Sequence, residues 1–342
     1  TRKQGHEKQQ LLSTIEEEEL VAWITNASKL GVPTPLSLVK NLAEEIRANR
    51  FATRLDSLDS PISTRWIDRF RARHPTLETC FTRPIDASRF EGLNYSTVKS
   101  YFDGLSEAIR KERYPPSAIF NVDETGFSLG STRRSIVLLD KKYKKRGKKQ
   151  AGRREWITAI ECISASGVTL PPTLIFKGKN LNSGWIPDVT PPGWAFSTSN
   201  KGWTSDIHAY EWLTTRFEPL TRRNDGKRRL LVVDGHSSHY TTRFLAFCIT
   251  KKIDLALLPP YTSHVTQPLD IACFSPLKTA ITSEVDAIFR KSVTSLLRVE
   301  WTSAYIRARA RCFKPYTIES AFRKAGIYPL DPEVILSTLP TP

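Results

Sequence analysis

Apolar and polar positions divide the chain into an N-terminal helical part and a longer part that mixes strands with helices. Within residues 1–78, apolar residues recur at helical spacing in three segments: 16–26, 35–49 and a stretch opening at Ser63 or Thr64. Further along, strands are predicted at 119–122, 156–165, 174–177, 230–233 and 253–258, with helices at 96–113, 205–217 and 241–251. The remainder, after about residue 268, reads as mainly helical.

The third N-terminal segment is basic as well as amphipathic. Ile62, Trp66, Ile67 and Phe70 fall on one helical face, and arginines lie outside or beside it. Three short helices ending in such a segment suit a helix-turn-helix whose last helix enters a DNA groove. The alternative is a small helical bundle with solvated arginines. The candidate DNA contacts are Arg65, Arg69, Arg71 and Arg73.

Two aspartates stand at the ends of apolar runs. Residues 230–233 form a continuous run without alternation, which predicts a strand buried on both faces, and Asp234 follows it. Residues 119–122 lead to Asp123 in the same way. A carboxylate in such a place costs free energy unless it faces a cleft or a cation. Glu124 is an alternate candidate, but adjacent side chains of a strand point to opposite faces, so we prefer Asp123.

A third aspartate, Asp270, is expected in the first turn of a helix. Pro268 favours that turn, and Thr266 or Gln267 can cap it. The helix dipole favours a negative charge there.

Together, the three carboxylates suggest a metal site. Carboxylates delivered by two strands and a helix can converge on hard divalent cations, and two Mg²⁺ ions about 4 Å apart would clamp a phosphoryl transfer. Mn²⁺ is a possible substitute. Each aspartate also has an ordinary structural explanation as a turn or helix-start residue, and the metal hypothesis depends on all three occurring together.

Zinc and disulfides are not indicated. His236 and His239 form an H-x-x-H pair after Asp234, but the glutamate of the metalloprotease motif is missing. We therefore expect these histidines to orient the aspartate. The five cysteines are far apart, without a C-x-x-C pair, which indicates a reducing compartment.

Charge points to a polyanionic partner. Lys and Arg number 51 against 35 acidic residues, a net charge of +16, and nucleic acid is the simplest explanation. Nine of the fourteen residues at 141–154 are basic, which is typical of DNA-backbone contacts or of a nuclear-import signal, and also of a solvated loop. The candidates here are Lys144, Lys145, Arg146, Lys148 and Lys149. No apolar run is long enough for a membrane span.

Several blocks resemble a known family. NVDETGF at 121–127, VVDGHSSH at 232–239 and PPYTSHVTQPLDIACFSPLK at 259–278 resemble the catalytic blocks of pogo-branch transposases of the mariner superfamily. These are DDE endonucleases related to centromere protein B. WIDRFRARHP at 66–75 is similar to the second half of that family's bipartite DNA-binding region.

The resemblance implies an α/β fold, with an RNase H-like catalytic domain (a mixed sheet flanked by helices) and an N-terminal all-α helix-turn-helix domain. The expected division is a partial DNA-binding domain at 1–78, a linker at 79–94 and the endonuclease domain at 95–342. The family's first helix-turn-helix would precede Thr1, and the chain has no Met, so we expect a fragment.

It also implies an activity. Asp123, Asp234 and Asp270 become a metal-binding catalytic triad that works with Mg²⁺. Water cuts at the transposon ends, and the freed 3′-OH attacks target DNA. The expected partners are double-stranded DNA, with terminal inverted repeats and target DNA, and further copies of the chain in a homo-oligomer. The expected location is the nucleus.

Two other hypotheses remain open. One is a domesticated DNA-binding protein that keeps the scaffold without catalysis. The other is an RNase H-type nuclease acting on RNA–DNA hybrids, ranked last because a basic N-terminal helix favours duplex DNA.

Overall fold

The fold is taken from a computed structural model, which describes residues 11–29, 34–51, 62–79, 95–129, 155–235, 241–290 and 296–339. Before the first strand it contains helices α1 (Thr14–Lys29), α2 (Leu36–Phe51), α3 (Thr64–Arg73) and α4 (Tyr95–Glu112). The three helices predicted within residues 1–78 and the helix predicted at 96–113 are therefore confirmed, with ends that differ by a few residues. The predicted linker, 79–94, lies almost entirely outside the described residues.

A six-stranded mixed sheet forms the centre of the molecule. Its strands are β1 (Ile119–Ser128), β2 (Trp156–Ser164), β3 (Thr173–Lys177), β4 (Ala195–Ser199), β5 (Arg229–Val233) and β6 (Ile253–Leu257), in the order β4-β3-β2-β1-β5-β6. β1, β2 and β3 are antiparallel neighbours, whereas β5 and β6 run parallel to β1. Three antiparallel strands followed by two parallel ones form an RNase H-like sheet, to which β4 adds an edge strand parallel to β3.

The other helices alternate with the strands or follow them. They are α5 (Asp206–Trp212), α6 (Glu218–Thr221), α7 (Thr242–Thr250), α8 (Ser263–Thr266), α9 (Phe274–Arg290), α10 (Arg298–Cys312), α11 (Pro315–Lys324) and α12 (Glu333–Leu336). Single π-helical turns join α5 to α6 at Leu213–Phe217 and lead into α9 at Leu269–Cys273.

Buried apolar side chains pack against both faces of the sheet. Leu230 and Val232 of β5 enter a cluster built with α4 and α9 to α12, while Leu231 and Val233 enter a second cluster with α1 to α3, α5 and α7. Every residue of β5 is buried. The strand predicted to be buried on both faces is therefore confirmed.

The N-terminal helices share the second core cluster instead of standing apart from the sheet. Leu20, Leu42 and Phe70, one from each of α1 to α3, are fully buried in it. At the rim, Arg228 beside β5 pairs with Glu19 of α1 at 3.0 Å and with Asp254 of β6 at 2.9 Å. The N-terminal helices and the sheet thus form one packed body over the described residues.

Two strands differ from the sequence prediction. β1 does not end near Asp123 but continues to Ser128, because β2 pairs with it from Phe120 to Ser128. β4 was not predicted; it is a short, half-buried edge strand whose sequence, AFSTS, has too few apolar residues to stand out.

Candidate active site

Asp123 lies on β1, and Asp234 directly follows the neighbouring parallel strand β5. β5 pairs with β1 only from Ile119 to Asn121, opposite Leu230 to Val232, and continuing that register by two residues brings Asp123 beside Asp234. β5 ends at Val233 while β1 runs on to Ser128, so the pairing of β1 with β5 stops just before the two aspartates. Both aspartates are half-buried there. Binding crevices of open α/β sheets form at such carboxyl ends of parallel strands.

Asp270 reaches the same region from the π-helical turn that leads into α9. It lies in the first turn, as predicted, and is exposed. The predicted caps are wrong: Pro268 precedes the turn, and no side chain caps it. The Thr266 hydroxyl pairs with that of Thr262 at 2.8 Å, and the Gln267 side chain turns inwards, towards β1.

The three carboxylates influence one another electrostatically. Burial raises the pKa of Asp123 well above its usual range, and the charges of Asp270 and Asp234 raise it further. Burial also raises the pKa of Asp270, where Asp234 acts in the same direction while Lys278 and His264 oppose the shift. Such mutual repulsion is what a bound cation would relieve.

Two buried amides connect the segments that carry the aspartates. Asn121 donates through Nδ2 to the Val232 carbonyl at 3.1 Å and to Gln267 Oε1 at 3.0 Å, and its Oδ1 accepts from the Leu269 N–H at 3.0 Å. Gln267 also acts on Asp123, where its amide opposes the rise in the pKa of that carboxyl. Neither amide has measurable exposure to solvent.

A fourth carboxylate lies close by but is already neutralised. Glu161 of β2 is directly opposite Asp123 in the antiparallel register, and so on the same face of the sheet. Arg309 of α10 binds both its oxygens, at 2.7 and 2.8 Å, and the Tyr305 hydroxyl donates to it at 2.5 Å. With its oxygens taken, Glu161 is not a candidate for metal binding.

The donor chemistry of the three aspartates fits Mg²⁺ or Mn²⁺, since these hard ions take carboxylate oxygens. Their mutual charge repulsion is a second observation consistent with a cation between them. Within the parts of the chain that the structure describes, however, no three His, Cys, Asp or Glu side chains are arranged closely enough to hold one ion. The triad is thus near a common point without a closed ligand set.

Of the other predicted site residues, the structure describes the four arginines of α3. His236, His239 and the five basic candidates from Lys144 to Lys149 lie outside the described residues. On α3, Arg65 and Arg69 are exposed and Arg71 is half-buried. Arg73 is engaged within the protein, where its guanidinium binds both oxygens of the buried Glu17 at 2.9 and 2.6 Å.

Several residues near the site were missed by sequence reasoning. Asn121 interrupts an apolar strand, which was a signal, since a buried amide needs partners. Gln267 was considered only as a helix cap. The signal for Lys278 was weaker, because an exposed lysine eight residues after Asp270 resembles any surface lysine.

The sequence matches two family models. Residues 153–291, which include Asp234 and Asp270, match that of the DDE superfamily endonucleases, and residues 13–80 match the Tc5 transposase DNA-binding domain. The two segments together span more than half of the chain. They define a DNA-binding domain followed by a DDE endonuclease domain.

Individual relatives narrow the class. Over 334 residues the chain is 22% identical to the human "Pogo transposable element with ZNF domain", covering 93% of this chain and 22% of that protein. Over 226 residues it is 36% identical to "MFS-type transporter clz9" of Cochliobolus lunatus, covering 65% of this chain and 24% of that protein. The chain therefore spans about a quarter of the length of these curated relatives. The chain is thus similar to pogo-like transposable-element proteins, and it carries matches to a DDE endonuclease model and to a transposase DNA-binding model.

A solved structure with a similar arrangement is the Mos1 transposase paired-end complex with left transposon end. It is 12% identical, with a TM-score of 0.40 over 84% of this chain and 80% of that one.

Among the residues that the structure describes, no helix is both long and apolar enough to cross a bilayer.

Proposed function

We propose that this chain is a divalent-metal-dependent DNA transposase that hydrolyses phosphodiester bonds at transposon ends and joins the freed 3′-OH to target DNA. Asp123, Asp234 and Asp270 are its metal ligands and catalytic residues. The proposal is carried by one observation: the charges of both Asp234 and Asp270 act on the Asp123 carboxyl.

The residues around the triad have distinct roles in this proposal. Two Mg²⁺ ions, or Mn²⁺ in their place, would supply Lewis acidity and a nucleophilic water or hydroxyl when bound. The Glu124 N–H donates to Asp123 Oδ1 at 2.7 Å and so fixes that carboxylate. Lys278, which acts electrostatically on Asp270, adds positive charge where a DNA phosphate would approach. His236 and His239 would orient Asp234.

In each of the two chemical steps, one bond to phosphorus forms and one breaks. In the first, the water oxygen bonds to phosphorus, the bond from phosphorus to the 3′ oxygen breaks, and a 3′-OH and a 5′-phosphate result. In the second, that 3′-OH attacks a target phosphodiester, so that one phosphodiester bond forms as another breaks and no external energy source is required.

DNA binding is assigned to the basic elements. The match of residues 13–80 to the Tc5 transposase DNA-binding domain supports this role for α1 to α3. Arg65 and Arg69 would contact the duplex that carries the terminal inverted repeats, with Arg71 beside them, and residues 144–149 would contact the backbone. We also propose nuclear localisation, a homo-oligomer on DNA, and the functional division into residues 1–78, 79–94 and 95–342.

The decisive experiment measures Mg²⁺-dependent cleavage of a duplex carrying the inverted repeats that flank the reading frame. The parent chain should nick it, and Asp234→Ala should abolish nicking. Asp225→Ala is the matched control, since this exposed aspartate lies nine residues earlier and pairs with Arg223. Cleavage by Asp234→Ala at the parental rate would refute the catalytic assignment.

A second candidate function is a domesticated, sequence-specific DNA-binding protein without catalysis. The observation in its favour is the lack of a closed metal-ligand group among the described side chains. Salt-sensitive binding of the repeat DNA by the parent chain, with no nicking in Mg²⁺ or Mn²⁺, would establish it over the transposase. A parallel assay on an RNA–DNA hybrid tests the remaining nuclease alternative.

A further inference from the structure

The amide pair Asn121–Gln267 touches all three segments that deliver the aspartates. Asn121 lies two residues before Asp123, its carbonyl partner Val232 lies two residues before Asp234, and its N–H partner Leu269 immediately precedes Asp270. In a strand, residues two apart point to the same face. One side chain therefore joins β1, β5 and the π-helical turn directly behind the carboxylates.

The orientation of both amides is fixed by their surroundings. The Val232 carbonyl can only accept and the Leu269 N–H can only donate, so Asn121 must direct Nδ2 to the first and Oδ1 to the second. Asn121 Nδ2 also donates to Gln267 Oε1, which leaves Gln267 Nε2 to face the Val122 carbonyl, 3.4 Å away, and the Asp123 carboxylate. The hydrogen bonds thus run in one direction, from the Leu269 N–H through Asn121 to Gln267 and on towards Val122 and Asp123, with a branch from Asn121 to the Val232 carbonyl of β5.

Neutral amides suit this place better than cations would. A buried lysine or arginine against Asp123 would neutralise it and compete with a divalent ion, as Arg309 does for Glu161 on the next strand. A carboxamide orients the carboxylate without cancelling its charge. Buried metal ligands are commonly held in this way by hydrogen-bonding partners that do not touch the ion.

We propose that Asn121 and Gln267 are positioning residues that hold Asp123, Asp234 and Asp270 in register for a divalent cation. The proposal rests on the proposed function, because it assumes that these aspartates bind metal. It assigns the two amides a role in cation affinity, beyond their contribution to the stability of the core.

The test is Mn²⁺ binding by the full chain, followed by electron paramagnetic resonance. Gln267→Met preserves side-chain length and removes the hydrogen bonds, and it should weaken Mn²⁺ binding about 10-fold or more, as loss of such a partner typically does. Thr266→Val is the matched control: Thr266 is adjacent and equally buried, but its hydroxyl bonds only Thr262. This control should leave Mn²⁺ affinity within about twofold of the parent, since it touches no partner of the aspartates.

A measurement on the unmutated chain covers the case in which Gln267→Met does not fold. With side-chain ¹⁵N labelling, adding Mg²⁺ should shift the carboxamide resonances of Asn121 and Gln267. If both stay unchanged at saturating Mg²⁺, or if folded Gln267→Met binds Mn²⁺ as tightly as the parent, the positioning role is wrong.

Asp234→Ala separates the two proposals. If it loses Mn²⁺ binding while Gln267→Met retains it, only the positioning role is overturned. If Asp234→Ala binds Mn²⁺ as the parent does, the metal assignment itself fails, and the positioning role fails with it.

Discussion

At the residue scale, the three aspartates of the candidate site lower the stability of the folded chain. Asp123 is half-buried and faces the charges of Asp270 and Asp234, while the Glu124 N–H and the Gln267 amide partly compensate its charge. Like charges held together where they are partly desolvated destabilise the folded chain unless a cation lies between them. Functional residues commonly carry such a cost.

Asp123→Asn should therefore raise the unfolding temperature of the metal-free chain. Asparagine keeps an oxygen for the Glu124 N–H but removes the charge. Because the pKa of Asp123 is raised on folding, its favourable contribution is present below the unfolded-state pKa and is lost as pH rises through the folded-state pKa. Melting curves recorded in a chelator at several pH values measure this effect. The increase in melting temperature of Asp123→Asn over the parent should grow as the pH rises through the folded-state pKa of Asp123. A lower melting temperature than the parent at neutral pH would contradict this prediction.

The Glu161–Arg309 pair shows the opposite arrangement, a buried charge that is fully compensated. Arg309 also donates to the Leu170 carbonyl, and its guanidinium lies 5.0 Å from the Phe313 ring centroid. It therefore packs as well as pairs.

Arg309→Met should destabilise the chain by about 3–5 kcal/mol, because it leaves Glu161 charged and unpaired in the core. The double variant Glu161→Leu with Arg309→Met should recover much of that loss. Urea unfolding monitored by circular dichroism measures both. A loss below about 1 kcal/mol in the single variant would mean that the pair is not a buried ion pair in solution.

At the element scale, α3 has two kinds of arginine. Trp66, Ile67 and Phe70 form its buried face, so the helix is oriented by packing. Arg65 and Arg69 point to solvent, whereas Arg73 ties the end of the helix to Glu17 of α1 together with His74, whose Nε2 lies 3.1 Å from Glu17. Sequence spacing alone assigned all of them to DNA.

Substitutions should separate these two kinds. Arg65→Ala and Arg69→Ala should weaken DNA binding with little change in melting temperature, and each lost phosphate contact should lower the salt dependence of the affinity by about one unit of slope. Arg73→Ala should lower the melting temperature, because Glu17 stays buried with one partner fewer. Salt titrations of DNA binding and thermal melts are the measurements. An unchanged melting temperature for Arg73→Ala would exclude the structural role.

At the scale of the whole molecule, the N-terminal helices cover one face of the sheet region. Leu42 and Ala43 of α2 lie in the same cluster as Phe244 and Leu245 of α7. The segment that the sequence assigns to DNA binding therefore also completes the core of the endonuclease part.

Deleting residues 1–78 should leave a poorly folded remainder, because α7 and the adjacent sheet face would lose their apolar cover. We expect binding of a hydrophobic dye and a lower melting temperature than that of the intact chain. Leu42→Ala in the intact chain is the matched point variant and should cost about 2–5 kcal/mol. A deletion product as stable as the parent would show that the N-terminal helices form an independent unit.

Local sequence pattern was enough for most elements. Helical spacing gave α1 to α4, and β-favouring runs gave β1, β2, β3, β5 and β6, because these patterns reflect which side each residue buries. The sequence pattern failed where local signals are weak or mixed. The extension of β1 beyond Asp123 depends on pairing with β2, and β4 forms by pairing with the edge of β3.

The sequence by itself determined the element types, the basic character of the chain and the three aspartates as the residues to examine, since composition and periodicity are local properties. Only the tertiary structure decided which of those side chains meet. The parallel pairing of β1 with β5 brought the segments of Asp123 and Asp234 together, and Arg309 paired with Glu161. Asn121 and Gln267 came into contact although 146 positions separate them in the sequence. Contacts between distant residues depend on chain topology, which no single stretch of sequence encodes.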